Sequence, residues 1–152
     1  MLRLIAVGRG RDDPESALVA RYATRMRPKL IVTEISDGRG GPAEAKRREG
    51  EGLIAAIERH AWVVALDPAG DMPDTKAFAA HLERWLGAPR PVCFLVGGAE
   101  GLHRVVIERA DYILSLGRLT WPHMLARAML AEQLYRARAI AAGHPYHRIG
   151  RP

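Results

Sequence analysis

The stretch GRLTWPHMLARAMLAEQLYRA, residues 117–137, constrains the fold more than any other part of the sequence. It opens with a glycine, places a proline where a helix would begin, and then carries apolar residues around nearly the whole helix. A helix that is apolar all round is buried all round. Yet Glu132 and Arg136 lie within it, four residues apart on one helical face. They form either an ordinary intrahelical ion pair or a charged site that faces a cavity.

Upstream of this helix, short apolar runs alternate with amphipathic segments. This alternation predicts an α/β fold, a single domain over residues 1–152 with a mainly parallel sheet flanked by helices. The predicted strands are 2–8, 29–36, 62–67, 91–97 and 111–116. The predicted helices are 12–26, 43–60, 74–87, a short one within 98–110, and a long one from 122 to about 142. Ligands of such sheets bind at the carboxyl ends of the strands, so the loops after these ends are the candidate site.

The charge of the chain points to a polyanionic partner. It has 23 basic against 17 acidic residues, a net charge of +6, and only three of the basic residues are lysine. Arginine suits bidentate contact with phosphate, and a basic domain indicates nucleic acid. No apolar run approaches the roughly 18 residues of a membrane span, so we expect no membrane association and a cytoplasmic location. The single cysteine, Cys93, excludes an internal disulfide and is predicted to be buried.

Several common catalytic patterns are missing from the sequence. Gly8 and Gly10 follow the first strand, but Asp13 stands where a dinucleotide fingerprint needs its third glycine. There is no P-loop and no nucleophile elbow. His144 and His147 do not supply the three or four ligands of a zinc site, so we expect no metal.

Two glycine-bearing loops remain, FLVGGAEGL at 94–102 and LSLGRLTWPHM at 114–124. Each alone is consistent with a tight turn. On adjacent connections they could also clamp a flat polar ring, such as adenine, through backbone donors and acceptors. Thr120 or a neighbour is predicted to cap the long helix. We expect a branched side chain at Gly98 to project into the pocket between the loops.

Four motifs in order, FLVGGAEG (94–101), SLGRLTWPH (115–123), LAEQLYRA (130–137) and GHPYHR (143–148), resemble the ribosomal RNA large-subunit methyltransferase H family of the SPOUT superfamily. The resemblance covers the whole chain. It implies a C-terminal deep trefoil knot, S-adenosyl-L-methionine bound in the knot, and a homodimer with a site shared between protomers. It also implies the substrate, a pseudouridine of 23S ribosomal RNA in the large subunit or assembled ribosome, methylated on N3.

The resemblance also assigns residues. The cofactor contacts it implies are Leu66, Gly98 and the loop residues Gly117, Arg118, Leu119, Thr120, Trp121 and Pro122. The catalytic residues it implies are Arg136, Tyr146, His147 and Glu132. Three features depart from the family pattern: Ala99 replaces a proline, Arg118 and Trp121 replace smaller or aliphatic residues, and Ile149–Pro152 extends beyond the usual end.

Methyl transfer to a uracil-type ring nitrogen requires removal of a proton. We hypothesise that His147 accepts it, that Arg136 stabilises the anionic ring, and that Tyr146 stacks on the base. Two other functions fit the sequence. One is a non-enzymatic RNA-binding module of the ribosome, based on the net charge and the cluster of Arg39, Lys46, Arg47 and Arg48. The other is an α/β nucleotide-binding protein with different chemistry.

Overall fold

A computed structural model describes residues 1–148. Five strands form one parallel sheet in the order β2-β1-β4-β3-β5. The strands are β1 Leu2–Val7, β2 Leu30–Ile35, β3 Trp62–Asp71, β4 Val92–Val96 and β5 Tyr112–Leu114. The helices are α1 Pro14–Arg25, α2 Pro42–Ala56, α3 Thr75–Leu86, α4 Arg104–Arg109 and α5 His123–Ala141. The prediction of an α/β fold with a parallel sheet is confirmed.

The pleat of the sheet divides the core into two layers. Leu4 and Phe94 project to one face, where α1, α3 and α5 cover them. Ile5 and Leu95, their neighbours in the chain, project to the other face, which α2 and α4 cover. Both faces are buried, which is why the central strands read as continuous apolar runs. Cys93 lies fully buried in β4, as predicted, and burial raises the pKa of its thiol.

Local signals set the helix starts. At α1, Oδ1 of Asp13 accepts a hydrogen bond from the Ser16 amide at 2.7 Å, and Pro14 occupies the first turn. At α3, Oδ1 of Asp74 accepts one from the Ala77 amide at 2.8 Å. At α5 the capping prediction is wrong. The N-cap residue is Pro122, which makes no side-chain cap bond, so Thr120 does not cap the helix.

Two element boundaries differ from the predictions by four residues, and the others by two or fewer. Helix α2 ends at Ala56 instead of residue 60. Strand β3 was predicted to end at 67, yet the chain returns to the ladder at Asp71, which pairs with Leu114 after an irregularity that follows Leu66. Gly70 lies against β5 so closely that a Cβ there would approach the Ile113 carbonyl oxygen to 2.6 Å. This close backbone approach lets a turn-like sequence stay attached to the sheet.

Helix α5 is covered by more than the sheet, because it also packs against α1 and α3. Its buried charge, Arg127, is only 2% exposed and donates hydrogen bonds to the carbonyls of Val7 and Gly8. These bonds fix the start of α5 at the carboxyl end of β1.

The trefoil knot in this part of the chain stays a prediction. Over residues 1–148, no helix combines the length and apolarity that crossing a membrane requires.

Candidate active site

A pocket of about 190 Å³ lies at the carboxyl ends of β4 and β5, beside the irregularity in β3. Six of the eight predicted cofactor contacts line it, namely Leu66, Gly98, Gly117, Leu119, Thr120 and Trp121. Arg118 and Pro122 do not line it, although both belong to the same loop. The loops after β4 and β5 and the irregular part of β3 that follows Leu66 therefore converge on one cavity.

The glycine loop after β4 is a tight turn. The Gly101 amide donates to the Gly98 carbonyl at 3.1 Å, and Gly101 has a φ of +77°. A Cβ on Gly97 would lie 2.8 Å from the backbone of Gly101. Ala99 is exposed at the second position of the turn, a position that favours proline in common turn types. The turn thus requires these glycines, and it forms one wall of the pocket.

Gly98 is backed by a buried carboxylate. A Cβ there would lie 3.0 Å from Oε2 of Glu49 and 3.0 Å from Cγ1 of Val7. Oε1 of Glu49 accepts from the Gly38 amide at 3.0 Å, whereas Oε2 is buried with no hydrogen-bond partner within residues 1–148. The expectation that a side chain at Gly98 would project into the pocket is therefore wrong. It would displace Glu49 and Val7 behind the loop.

The opposite wall is the loop from residue 115 to 122. The Gly117 amide donates to Oγ of Ser115 at 3.1 Å, and Gly117 has a φ of +113°. In the described part of the chain, the backbone amides of Leu119, Thr120 and Trp121 donate no hydrogen bond. Such amides, together with the apolar side chains that line the pocket, suit the polar edges of a purine ring. The residues present therefore fit an adenosine-containing cofactor.

The four predicted catalytic residues form one hydrogen-bonded group, which we call the catalytic cluster: Glu132, Arg136, Tyr146 and His147. Arg136 donates to Oε1 of Glu132 through Nε at 2.9 Å and Nη2 at 2.5 Å. Its Nη1 lies 3.2 Å from Nδ1 of His147. The Tyr146 hydroxyl donates to the same Glu132 oxygen at 3.2 Å, and the Arg136 guanidinium lies 4.9 Å from the centre of the Tyr146 ring.

The contacts of the cluster raise the pKa values of Arg136 and Tyr146. The hydrogen bonds that Arg136 donates to Glu132 raise the pKa of its guanidinium, so this group stays charged. Burial, and then a hydrogen bond with Tyr22 and the charge of Glu132, raises the pKa of Tyr146 to about 12. The phenol is therefore a proton donor at neutral pH. Arginine can only donate, so its contact assigns an acceptor role to Nδ1 of His147 and places the proton of the neutral ring on Nε2.

The pocket and the cluster lie at different ends of α5. A helix rises about 1.5 Å per residue, so His123 and Arg136 are separated by about 20 Å along the axis. Between them runs a larger groove of about 580 Å³, lined among others by Met72, Phe78, Met129 and Glu132. Much of this lining is apolar. Glu132 marks the point where the groove reaches the cluster.

Three residues of this region were not predicted as site residues. His123 lines the pocket from the first turn of α5, and Asp67 lines it directly after Leu66. Glu49 contacts the glycine loop from α2. The position of His123 beside the loop motif was a usable signal. Glu49 was not, because nothing local distinguishes it from the charged residues around it in the sequence.

Comparisons with known proteins agree on the family. The family model described as a predicted SPOUT methyltransferase matches residues 1–147. A solved structure, a probable methylase family protein from Haemophilus influenzae Rd KW20, has a TM-score of 0.57 at 9% identity, covers 99% of this chain and 72% of that one, and supports the fold alone.

Two relatives share much more of the sequence. The ribosomal RNA large subunit methyltransferase H of Gluconacetobacter diazotrophicus is 63% identical over 151 residues, which cover 99% of each chain. The protein of the same name from Acidiphilium cryptum is 57% identical over 151 residues, which cover 99% of this chain and 96% of the relative. The chain therefore belongs to the SPOUT methyltransferases and, within them, to the ribosomal RNA large subunit methyltransferase H family.

Proposed function

We propose that this protein methylates N3 of a pseudouridine in 23S ribosomal RNA, with S-adenosyl-L-methionine as methyl donor and the assembled ribosome as substrate. The proposal rests on the family and on one structural observation. Glu132 and Arg136 of α5 meet Tyr146 and His147 of the tail in a single hydrogen-bonded group. A purely structural ion pair on a helix does not require two tail residues to complete it. The cytoplasm is the compartment in which this substrate is found.

The pocket at the strand ends would hold the cofactor. Leu66 and Gly98 would form one wall, and the backbone from Gly117 to Trp121 would form the other. When bound, S-adenosyl-L-methionine supplies a methyl group activated by a sulfonium centre. The task of the chain is to place the nucleophile in line with that methyl carbon and about 3–3.5 Å from it.

The catalytic cluster would prepare the ring nitrogen. A uracil-type nitrogen is a weak nucleophile while protonated, so its anion must be stabilised. Arg136 carries a permanent charge for this purpose, and Glu132 orients it through two hydrogen bonds. His147 could take the proton at Nδ1 only by exchanging its contact with Arg136. In the observed arrangement its Nε2–H is positioned as a donor. Tyr146 offers an aromatic face on which a flipped-out base could stack.

The separation of pocket and cluster supports a homodimer with shared sites. Atoms that react must come within a few ångströms, but Arg136 lies about 20 Å beyond the start of α5 in the same chain. A second copy whose α5 covers the apolar groove would bring its own cluster toward this pocket. The same contact would cover Met129 and Met72, the latter 52% exposed in the single chain. The trefoil knot is part of the same proposal, because the family places the cofactor in it.

Two measurements test the proposed function. Calorimetry should show binding of S-adenosyl-L-methionine, whereas an RNA-binding module without enzymatic activity should show none. Mass mapping of 23S RNA from a deletion strain should show one unmethylated pseudouridine, restored by the wild-type gene but not by Arg136→Met. A deletion strain with unchanged ribosomal RNA would contradict the assigned substrate. Failure of the cofactor to bind would contradict the enzyme itself.

A further inference from the structure

A second basic surface lies beside the catalytic cluster and has no role in the proposed chemistry. It is a pocket of about 220 Å³ between the end of α1 and the end of α5. Its polar lining is Arg25, Arg27, Tyr135, Arg138 and His144, with no carboxylate among the lining residues. We call it the arginine pocket. Three guanidinium groups around one small cavity form a concentrated positive charge, and such a charge attracts phosphate.

The charges of this pocket are not all neutralised inside the protein. Arg138 pairs with Glu83 and donates through Nε to the Arg27 carbonyl at 2.7 Å. Arg27 donates through Nη1 to two backbone carbonyls, those of Thr24 at 3.1 Å and Met26 at 2.9 Å. Neither Arg25 nor Arg27 has a carboxylate partner within residues 1–148. Arg27 is thus held in position by backbone carbonyls and not by a carboxylate.

His144 adds an imidazole ring to the lining of the same pocket. Its Nδ1 accepts a hydrogen bond from the Tyr146 amide at 3.2 Å. That bond places the proton of the neutral ring on Nε2. The tail that carries Tyr146 and His147 to the catalytic cluster thereby also contributes a residue to the arginine pocket.

A series of contacts between aromatic rings and guanidinium groups connects the arginine pocket to the catalytic cluster. Arg25 lies 5.2 Å from the centre of the Tyr135 ring. Tyr135 meets Tyr146 edge to face, with ring centres 4.7 Å apart. Arg136 in turn lies 4.9 Å from the centre of the Tyr146 ring. Each contact is a favourable cation–π or aromatic pair. Only the rings of Tyr135 and Tyr146 therefore separate Arg25, in the arginine pocket, from Arg136 in the catalytic cluster.

We propose that the arginine pocket binds the phosphodiester backbone of the RNA substrate close to the target nucleotide, and so fixes that nucleotide against the catalytic cluster. Phosphate contacts set register and orientation in protein–nucleic acid complexes while carrying no sequence information. This inference rests on the proposed function, because it assigns a binding site for the same RNA substrate.

The test removes two charges from the pocket and compares the loss with a matched removal elsewhere. The variant is Arg25→Gln with Arg27→Gln. The control is Arg59→Gln with Arg104→Gln, since both arginines are exposed and lie on the α2 and α4 side of the sheet. Arg104 is paired with Glu108 on the surface, and pairs of that kind stabilise a fold very little. Both double variants reduce the net charge equally.

Binding to ribosomes that lack the modification is measured across a range of salt concentrations, separately from turnover. We expect the pocket variant to bind at least tenfold more weakly and to reduce the salt slope by roughly 2, since each lost phosphate contact removes about 0.9. The control variant should cause no comparable loss of ribosome affinity and no comparable reduction of the salt slope. S-adenosyl-L-methionine affinity should be unchanged in both. Arg25→Lys with Arg27→Lys should retain most of the slope.

Three outcomes would overturn the inference: an unchanged slope in the pocket variant, an equal loss in the control, or a loss of cofactor binding along with RNA binding. If the double variant is unstable, Arg25→Gln alone should lower the slope by about 1, because Arg25 makes only a ring contact. A wild-type protein that transfers no methyl group refutes the proposed function instead. An active wild type with normal binding by the pocket variant refutes only the arginine pocket.

Discussion

The cofactor pocket and the catalytic cluster are built in opposite ways. The pocket is made largely of backbone: a turn that needs Gly97 and Gly101, and a loop whose amides face outward. It lies at the end of β4, a strand that is buried along its whole length. The cluster is made of charged and aromatic side chains on a half-exposed helix face and a C-terminal tail. Its geometry depends on hydrogen bonds between residues that no core packing fixes.

This difference shows which substitutions each region tolerates. The pocket is sensitive to volume, because its shape comes from the fold and any added side chain must occupy space. The cluster is sensitive to charge and hydrogen-bond count, because its members orient one another. Changes in the pocket should therefore alter cofactor affinity and leave the chemistry of bound substrate alone. Changes in the cluster should do the reverse.

The largest effect should come from removing the tail. Deletion from Tyr146 onward removes two of the four cluster residues, and Glu132 and Arg136 then keep only each other as partners within the cluster. We expect ribosome methylation to fall by more than about 100-fold, the scale of general acid–base and positioning effects. Cofactor affinity and the dimer dissociation constant should stay within about twofold of wild type, which is well below the tenfold change that corresponds to about 1.4 kcal/mol.

The matched control for the tail removes only residues 149–152. These lie outside the described residues, and the deletion leaves all four cluster residues in place. Activity near that of wild type is expected. An equal loss in both truncations would show that chain length, and not the cluster, is what the tail supplies.

Replacement of Arg136 by methionine should have the next largest effect. The variant keeps a long apolar stem but loses the charge that would stabilise the ring anion. Loss of one preorganised electrostatic group costs about 100-fold to 1,000-fold in kcat. Arg136→Lys should recover part of the rate, but not its two bonds to Glu132. Steady-state kinetics with the cofactor varied should show an unchanged KM for S-adenosyl-L-methionine. A cofactor KM that rises in parallel would place Arg136 in the pocket.

Filling the pocket should produce a smaller effect of the opposite kind. Ala126 lines the cavity from α5 and is only partly buried, so Ala126→Phe adds a ring to the cofactor space without disturbing the core. We expect S-adenosyl-L-methionine to bind at least about tenfold more weakly by calorimetry, equivalent to about 1.4 kcal/mol. Ala141→Phe, on the exposed end of the same helix, should leave affinity unchanged. Equal affinities in the two variants would move the pocket elsewhere.

The smallest effect concerns the pH dependence of stability. The pKa of Tyr146 rises from 10.0 to about 12 in the folded chain. The unfolded chain therefore ionises first, so the contribution of this group to stability is complete below pH 10 and is lost between pH 10 and about 12. Thermal melts should show a slightly steeper loss of stability for wild type than for Tyr146→Phe in this range. Parallel curves would show that Tyr146 is as accessible in the fold as in the unfolded chain.

The sequence predicted the two regions to different extents. Alternating apolar runs were sufficient for the parallel sheet, and the glycine motifs located both walls of the pocket. The cluster was predicted from family resemblance, because the spacing between Arg136 and Tyr146 does not by itself bring them together. Glu49 was missed, since its contact with Gly98 joins α2 to a loop almost 50 residues later. The return of β3 at Asp71 was missed too, because PAGDMP has the composition of a simple turn.

Mixed dimers test most directly whether the catalytic cluster of one protomer acts on the cofactor pocket of its partner. One protomer carries Ala126→Phe and a complete tail, and the other carries an open pocket and no residues from Tyr146 onward. With the cofactor held well below the Kd of the Ala126→Phe pocket, each parent homodimer should show little activity. If the cluster acts on the partner's pocket, the mixed dimer joins one intact cluster to one open pocket and should retain about half the wild-type activity per dimer. An inactive mixed dimer, with its formation confirmed by mass spectrometry, would contradict a site shared between protomers.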